Sequence, residues 1–297
     1  MVRLFVAGSA NIDLTFRMDE PPRPGVTSIC PYSQGFGGKG ANQAVQAARL
    51  GAAVTFLGKV GDDAFGPALV QHLAHEGIKI DHLATVPGCL TGTAVILIDR
   101  DGQNSIISHA GPNVYVSKDD IENATDEIIH AHMVLATLET PAEALQRLFE
   151  IARNAHVLTL LNPAPPVTFP LHILRNVDIC IPNESELEAL TGRSINTVEG
   201  LENAVLDLHN LGPKQVIVTR GEHGVYFSCG EQRGMLPAEK VKAIDTSGAG
   251  DSFTAACAVA YARSRDWVQA ISFATHAAAI SVTRSGTQTS FATLFDL

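Results

Sequence analysis

The stretch DTSGAGD, residues 245–251, leads directly into a helical pattern that runs to Arg263. Backbone N–H groups at a helix N-terminus point outward and bind anions, and Asp251 would lie in the first turn. A helix cap on a glycine turn would explain the same run without any ligand. An anion hole beside a carboxylate is instead what phosphoryl transfer needs, because charge develops on the moving group while a hydroxyl loses its proton. The stretch therefore favours a phosphoryl-transfer site.

A second glycine-rich run, GFGGKGANQ, occupies residues 35–43. It matches the G-x-G-x-x-G pattern of dinucleotide sites, but it does not leave the first predicted strand directly, as that fingerprint requires. A P-loop is also disfavoured, because Gly40 stands where its magnesium-binding Ser or Thr would be. Two interpretations remain: a structural glycine turn, or a polar-ligand site in which Lys39, Asn42 and Gln43 bind hydroxyl groups.

Composition excludes several classes of partner. The chain has 297 residues, 45% of them hydrophobic and 18% charged, and a formal net charge of −10. An acidic balance disfavours nucleic acids and anionic membranes, which attract basic surfaces. The sequence contains no apolar run long enough to span a bilayer. Its five cysteines are scattered and form no C-x-x-C pair, which indicates reduced thiols in a cytoplasmic protein.

Short apolar runs alternate with helical patterns along the chain. The predicted strands are Arg3–Gly8, Val54–Val60, Met133–Leu138, Val157–Asn162, Asp178–Ile181 and Gln215–Thr219. The predicted helices are Ala41–Leu50, Asp63–Glu76, Ser117–Ala131, Pro141–Asn154, Thr197–Leu211 and Asp251–Arg263. Strands joined by helices of this length predict βαβ units and an α/β fold with a mainly parallel sheet. We expect one main domain over residues 1–297.

Two segments, Leu14–Phe36 and Leu90–Ala110, lack a helical period and contain many Thr, Ile, Pro and Gly residues. Within the second, Thr93–Ile98 and Ser105–His109 flank Asp101-Gly102, which predicts a β-hairpin. We expect these two segments to form a small β subdomain, the lid, standing off the main sheet.

Taken together, these motifs give the chain a resemblance to the ribokinase family of carbohydrate kinases. GGKGANQA at 37–44 and DTSGAGD at 245–251 match the two signatures of that family. Shorter matches, in family order, are GSANID at 8–13, LE at 138–139, NPAP at 162–165, PNESE at 182–186 and VTRSGTQ at 282–288. The resemblance therefore covers nearly the whole chain. It implies a central, mostly parallel sheet flanked by helices, with a β-sheet lid over a sugar.

The resemblance also implies roles for individual residues. Those expected around the sugar hydroxyls are Asn11, Asp13, Gly38, Lys39, Asn42, Glu139 and Asp251. Those expected to act in phosphoryl transfer are Asp251 as the base and Gly248, Ala249 and Gly250 through their N–H groups. Without the family context, Glu139 would be an exposed carboxylate at a strand end.

For the nucleotide and its metals, the resemblance implies three further sets. Residues expected beside ATP are Asn183, Thr219, Gly221, Gly224, Gly250 and Thr275. Asn183 and Glu186 match the N-x-x-E element near magnesium, where we expect an indirect role, since Mg²⁺ usually retains waters. A monovalent cation, usually potassium, is implied beside Asp245, Ser247, Ser281, Arg284, Gly286 and Ser290. A turn packed on the 248–251 loop would explain this last set equally well.

The sequence therefore predicts a kinase that uses MgATP to phosphorylate the 5-hydroxyl of D-ribose, giving ribose 5-phosphate and ADP. Deoxyribose, fructose, a sugar acid or a nucleoside remain alternative acceptors. Asn11 favours a 2-hydroxyl over a 2-deoxy sugar, because a deoxy sugar would leave this amide idle. A non-catalytic sugar sensor is the alternative from another class, but such a protein should lose Asp251 or the glycines before it.

The lid also bears on the oligomeric state. Tyr32, Ile96, Ile98, Ile106 and Ile107 supply apolar side chains to a thin predicted sheet, and isolated small sheets are marginally stable. Since ribokinase-like proteins commonly pair the lids of two subunits, we expect a two-fold homodimer through these segments.

Overall fold

The computed structural model describes residues 1–100 and 103–297, so the predicted Asp101-Gly102 turn lies outside the described residues. The strands in chain order are β1 (Arg3–Ala7), β2 (Asn11–Arg17), β3 (Tyr32–Gly37), β4 (Ala53–Gly61), β5 (Lys79–Val86), β6 (Gly92–Ile98), β7 (Asn104–His109), β8 (Met133–Thr137), β9 (Leu158–Asn162), β10 (Ile179–Cys180), β11 (Gln215–Thr219), β12 (Val225–Cys229) and β13 (Gln232–Leu236). They form two sheets.

The larger sheet has nine strands in the order β13-β12-β11-β10-β9-β8-β1-β4-β5. Its neighbours from β11 through to β5 pair in parallel, and β12 and β13 add an antiparallel edge. The carboxyl ends of the central parallel strands therefore meet along one rim, where open α/β sheets bind their ligands. The predicted α/β fold with a mainly parallel sheet is confirmed.

Helices cover both faces of this sheet. They are α1 (Lys39–Arg49), α2 (Phe65–His75), α3 (Lys118–Asn123), α4 (Thr125–Ile129), α5 (Ala142–Asn154), α6 (Glu184–Thr191), α7 (Val198–Leu211), α8 (Ala249–Ser264) and α9 (Trp267–Val282). Leu4 and Val6 of β1 face the core under α1, α2, α8 and α9, whereas Phe5 and Ala7 face the core under α3–α7. This alternation explains why β1 is apolar from Leu4 to Ala7: both of its faces are buried there.

The smaller sheet has the order β3-β2-β6-β7 and is the predicted lid. Strand β2 pairs antiparallel with β3 and parallel with β6, and β6 pairs antiparallel with β7. The first lid strand begins at Asn11, three residues before the expected Leu14, because the chain passes from β1 into the lid across a short connection at Gly8–Ala10. Asn11 and Asp13 consequently lie on the lid sheet itself.

Several boundaries differ from the predictions. The expected helix Ser117–Ala131 divides at Ala124 into α3 and α4. Helix α8 begins at Ala249, two residues before the expected start, because Gly248 adopts the left-handed conformation of its N-cap. Strands β5, β12 and β13 were not predicted. Within the described ranges, no helix combines the length and the apolar character that crossing a membrane would require.

Candidate active site

The site is built where β1 and α1 approach each other closely. A Cβ on Gly40 would lie 2.6 Å from the Gly8 Cα, so only glycine permits this packing of helix on strand. Gly38, the N-cap of α1, has φ 88° and lies against the Ser9 and Ala10 backbone. The glycines of residues 37–40 thus bring the first turn of α1 to the carboxyl end of β1, beside the start of the lid.

Asp251 is the third residue of α8, and its carboxylate faces α1. Its Oδ2 accepts a hydrogen bond of 2.8 Å from Asn42 Nδ2, and its Oδ1 accepts one of 2.9 Å from Gln43 Nε2. Asp251 is only 7% exposed. Two amide donors therefore fix the orientation of the carboxylate.

The two amides are themselves held by residues that the sequence did not single out. Gln43 Nε2 also donates to Asn162 Oδ1 at 3.0 Å, and Gln288 Nε2 donates to Asn42 Oδ1 at 2.9 Å. The Gln43 carboxamide oxygen is buried and has no partner among the described residues, so it can accept a hydrogen bond from a ligand or water. Asn162 and Gln288 lie within family motifs, but only their contacts reveal this role.

Acidic residues and one lysine surround this carboxylate. The pKa of Asp13 is raised to about 6, first by burial and then by the negative charges of Asp251 and Glu139. The pKa of Lys39 is raised mainly by Asp251, with Glu139 and Glu186 adding to the effect against burial. The structure therefore brings Asp13, Lys39, Glu139 and Asp251 into one electrostatic cluster, as expected for a site that binds several hydroxyl groups.

Glu139 and Asn11 are anchored on either side of this cluster. Glu139 Oε2 accepts hydrogen bonds from Ser9 Oγ and, at 3.2 Å, from the Lys39 backbone N–H. Asn11 Oδ1 accepts from Asn113 Nδ2 at 2.8 Å. Its carboxamide orientation is thereby set, which leaves its Nδ2 to donate to a ligand. Asn113 precedes α3 and has no sequence signal that predicts this contact.

Asn183 and Glu186 form a capping box at the start of α6. Asn183 Oδ1 accepts from the Glu186 N–H, and the Glu186 carboxylate accepts from the Asn183 N–H at 2.8 Å and from its Nδ2 at 2.9 Å. Burial raises the pKa of Glu186, although nearby Lys39 opposes this shift. Asn183 also bridges to Thr219, which brings together two of the residues expected beside ATP.

The remaining residues expected beside ATP lie on separate elements. Gly221 begins a short 3-10 turn after β11, and Gly224 ends it with φ 85°. A Cβ on Gly224 would lie 2.1 Å from the Leu236 carbonyl oxygen, so the turn packs closely on the end of β13. Thr275 lies on α9, where its hydroxyl donates to the Ile271 carbonyl. His276, the next residue, lies on the surface with its Nδ1 2.8 Å from Glu239 Oε1.

Asp245 ties together two loops at the start of α8. Its Oδ1 accepts from the Ser247 N–H and its Oδ2 from the Gly286 N–H, both at 3.0 Å. These hydrogen bonds lower the Asp245 pKa against the opposing effect of burial. The Arg284 guanidinium is paired with Asp296, so only its backbone could face a cation. Ser281 and Ser290 are buried and donate to carbonyls of their own turns.

The turn before α8 is partly prepared for an anion. A Cβ on Gly250 would meet nothing within 4 Å, so open space lies beside its backbone. Gly248 has φ 73°. The Ala249 N–H, however, donates to the Thr246 carbonyl at 3.2 Å, so it could bind a ligand only after this bond opens. The tight turn at residues 246–249 is the reason for this internal bond.

A cleft of about 370 Å³ lies between the lid and the loop after α9. The lid contributes Asp13, Thr15, Phe36 and Ile96 among others, and residues 285–289 form part of the opposite wall. Asp251 does not line this cleft, which opens beside the charged cluster rather than above the carboxylate. The space between lid and body is therefore large enough to admit a small polar ligand from the Asp13 side.

Comparison with known proteins gives one consistent result. The family model described as pfkB family carbohydrate kinase matches residues 1–294. A ribokinase from Staphylococcus aureus (strain COL) is 35% identical over 291 residues, covering 97% of this chain and 96% of the relative. A deoxyribokinase from Salmonella typhimurium is 36% identical over 288 residues, covering 96% and 94%.

A solved structure agrees with these relatives. Arabidopsis thaliana ribokinase complexed with ribose and ATP superposes with a TM-score of 0.90 at 34% identity, covering 98% of this chain and 96% of that one. The family model and the relatives both extend over nearly the entire sequence. The chain therefore belongs to the pfkB family of carbohydrate kinases.

Proposed function

We propose that this protein transfers the γ-phosphoryl group of ATP to the 5-hydroxyl of D-ribose, giving ribose 5-phosphate and ADP. The observation that carries the proposal is the Asp251 carboxylate, oriented by two amide donors at the N-terminus of α8. The 35% identical relative is a ribokinase, and the Arabidopsis structure holds ribose and ATP, which supports this acceptor and this donor.

In this mechanism Asp251 is the general base. It accepts the proton of the attacking hydroxyl, which then attacks the γ-phosphorus in line. Asn42 and Gln43 keep the carboxylate oriented, so that little reorganisation is needed during transfer. N–H groups of Gly248, Ala249 and Gly250 stabilise the charge on the moving phosphoryl group. Ala249 contributes only after its bond to Thr246 opens, so nucleotide binding would reshape this turn.

The sugar would lie between lid and body. Asp13 and Glu139 accept from its hydroxyls, Lys39 donates, and Asn11 uses the Nδ2 that its bond to Asn113 leaves available. Asn42 and the Gly38 backbone would complete the set from the start of α1. Lid closure over the cleft would exclude water, which would otherwise attack ATP.

Magnesium would be held mainly by the phosphates of ATP. Both oxygens of Glu186 already accept hydrogen bonds from Asn183, so this pair fits contact through water better than direct coordination. Among residues 1–100 and 103–297, no group of three His, Cys, Asp or Glu side chains could by itself hold a metal ion. Bound magnesium would neutralise charge on the phosphates. Thr219, Gly221, Gly224 and Thr275 would border the rest of the nucleotide.

A monovalent cation, potassium in our proposal, would be held where Asp245 joins the 245–247 and 285–287 loops. Backbone carbonyls near Ser247, Ser281, Arg284, Gly286 and Ser290 would be its other ligands. The cation would brace the loop that begins α8 and thereby the anion hole. We also propose that the protein acts in the cytoplasm, as a homodimer paired through the lids.

A panel of sugars in a coupled ADP-release assay tests the substrate. D-ribose should give the highest kcat/KM, and a preference for a hexose or a nucleoside would contradict the proposal. Deoxyribose is the second candidate, because a deoxyribokinase is 36% identical to this chain.

Asn11→Ala separates ribose from deoxyribose. We expect kcat/KM for ribose to fall about tenfold, the value of one lost hydrogen bond in a site that excludes water, and that for 2-deoxyribose to fall less. An equal loss on both sugars would show that Asn11 does not bind the 2-hydroxyl. Asn113→Ala is the matched control, since it releases Asn11 without removing its amide.

A further inference from the structure

A continuous chain of hydrogen bonds leads from Asp251 towards the lid. Asn42 Nδ2 donates to Asp251 Oδ2 at 2.8 Å, and Gln288 Nε2 donates to Asn42 Oδ1 at 2.9 Å. Beyond it, Gln288 Oε1 lies 2.7 Å from His72 Nε2. Four side chains from α8, α1, the turn after α9 and α2 are thus connected in series.

The Asp251 carboxylate, at one end of this series of hydrogen bonds, determines which atom donates in each of them. The Asp251 carboxylate can only accept, so Asn42 must present its amide nitrogen and can offer only its oxygen to Gln288. Gln288 then presents its own nitrogen to Asn42, and its oxygen needs a donor. His72 must therefore carry a hydrogen on Nε2, and without that N–H the Gln288 oxygen would lose this donor and the amide would be held only by its bond to Asn42.

The other contact of His72 is with the lid. Its ring stacks on Phe36 of β3, with centroids 4.0 Å apart and an interplanar angle of 9°. Both rings line the cleft between lid and body. A displacement of β3 would therefore move the imidazole that donates to Gln288.

The main chain of Gln288 is held separately from its side chain. Arg49 Nη1 donates to the Gln288 carbonyl, and the same guanidinium pairs with Glu76 at 2.9 and 2.6 Å. Glu76 follows His72 by one helical turn, so both contacts come from the same side of α2. Loss of the His72 N–H would remove one of the two hydrogen bonds of the Gln288 amide without releasing its backbone.

We propose that His72 is a positioning residue: its Nε2–H, acting through Gln288 and Asn42, holds the Asp251 carboxylate, and its stack on Phe36 makes that hold depend on the lid. This inference rests on the proposed role of Asp251 as the base. His72 lies outside both glycine-rich signatures, on α2.

Substitutions at His72 separate its two contacts. His72→Phe keeps a ring against Phe36 but removes the donor, so kcat for ribose should fall about five- to tenfold, with KM for ATP unchanged. His72→Gln places an amide nitrogen near the Nε2 position and should keep kcat within about twofold of wild type, while KM for ribose rises in this variant because the stack is lost. His75→Phe, on the exposed side of α2, is the matched control and should leave both constants unchanged.

A double-mutant cycle tests whether His72 acts on Asp251 through Gln288. Gln288→Leu and His72→Phe interrupt the same chain, so their combination should be no slower than Gln288→Leu alone. Should His72→Phe fail to fold by circular dichroism, His72→Gln combined with Phe36→Leu replaces it, and Phe36→Leu should then add nothing to the raised KM. A wild-type kcat in His72→Phe, or losses that multiply in the cycle, would overturn the inference. Absence of sugar phosphorylation by the wild type would instead refute the proposed function.

Discussion

The N-terminus of α8 and the lid differ in how firmly each is held. Asp251 is 7% exposed, and the next residue, Ser252, donates to Gln46 within the buried interface of α8 with α1. In the lid sheet, Tyr32, Ile106 and Ile107 are 62%, 58% and 65% exposed. The side chains proposed to do chemistry thus belong to the rigid body, whereas two that would bind the sugar, Asn11 and Asp13, belong to the thinner sheet.

This difference fits two separate roles, chemistry at the N-terminus of α8 and sugar binding at the lid. A general base must keep a fixed position relative to its substrate, and dense packing around the side chain holds it there. A sugar-binding surface must open to admit its ligand, and a sheet with few buried contacts can do so at low cost. Substitutions confined to one of the two regions should therefore separate loss of chemistry from loss of sugar binding.

Asp251→Asn acts on the rigid region. The amide is nearly isosteric with the carboxylate, so fold and ribose affinity should be retained, but the base is lost. We expect kcat to fall by roughly 10²–10⁴, the usual contribution of a positioned general base. Isothermal calorimetry would measure ribose affinity beside the assay, and near wild-type turnover would refute the assignment. Ser252→Ala, the neighbouring residue with a structural contact, is the control.

Charged substitutions in the lid act on the other region. Strand register places Ile96 and Ile106 on one face and Ile107 on the opposite face of the lid sheet. Ile106→Asp and Ile107→Asp are therefore matched probes of the two faces. The substitution that meets the partner should cost about 3 kcal/mol, or about a hundredfold in the dimer dissociation constant.

Light scattering should find a monomer for one of these two variants, with a raised KM for ribose, and a dimer for the other. A monomeric wild type at micromolar concentration, or dimers in both variants, would contradict pairing through the lids. The kinase assignment does not depend on this result.

The raised pKa of Asp13 predicts a pH dependence of kcat/KM for ribose. Because burial and the charges of Asp251 and Glu139 raise it to about 6, Asp13 is protonated below that pH and loses its capacity to accept from hydroxyls with both oxygens. We expect kcat/KM for ribose to fall about tenfold per pH unit below 6. A profile that stays flat down to pH 5 would contradict a role for ionised Asp13.

The raised pKa of Asp13 affects stability in the opposite direction: ionisation of Asp13 should favour ribose binding but destabilise the fold. A carboxyl whose pKa is raised on folding stabilises the fold below its unfolded pKa, and this contribution is lost as the pH rises through about 6. Asp13→Asn should therefore raise the melting temperature at pH 8 by a few degrees while it weakens ribose binding. An unchanged or lower melting temperature at pH 8, with the gain appearing only at pH 5, would contradict the sign.

The fold was largely readable from the sequence because burial on both faces gives strands such as β1 a continuous apolar pattern. The lid was predicted from other features, since Leu90–Ala110 lacks a helical period and carries a hairpin pattern. Strand β5 was missed because its burial is irregular, with polar residues throughout, and it pairs at the sheet edge with a shifted register. Helix 117–131 divided at Ala124, where the apolar period continues but the backbone turns.

For the candidate site, the sequence singled out residues that lie within short motifs. The signatures pointed to Asn42 and Asp251, which lie on the two helices that meet at the site. Gln288, His72 and Asn113 were not identified, because their contacts join positions more than a hundred residues apart. A single sequence shows the chemistry of such side chains but not which distant partner each one meets.

Phosphorus NMR of the product shows which hydroxyl of the sugar has received the phosphoryl group. With wild-type protein, ATP and D-ribose, the transferred phosphoryl group should appear as a phosphomonoester whose signal is a triplet, split by the two hydrogens on C5. Asp251→Asn should give no such signal in the same time. A doublet, which reports phosphate on a ring carbon bearing one hydrogen, or release of inorganic phosphate alone, would contradict transfer to the 5-hydroxyl of ribose by this site.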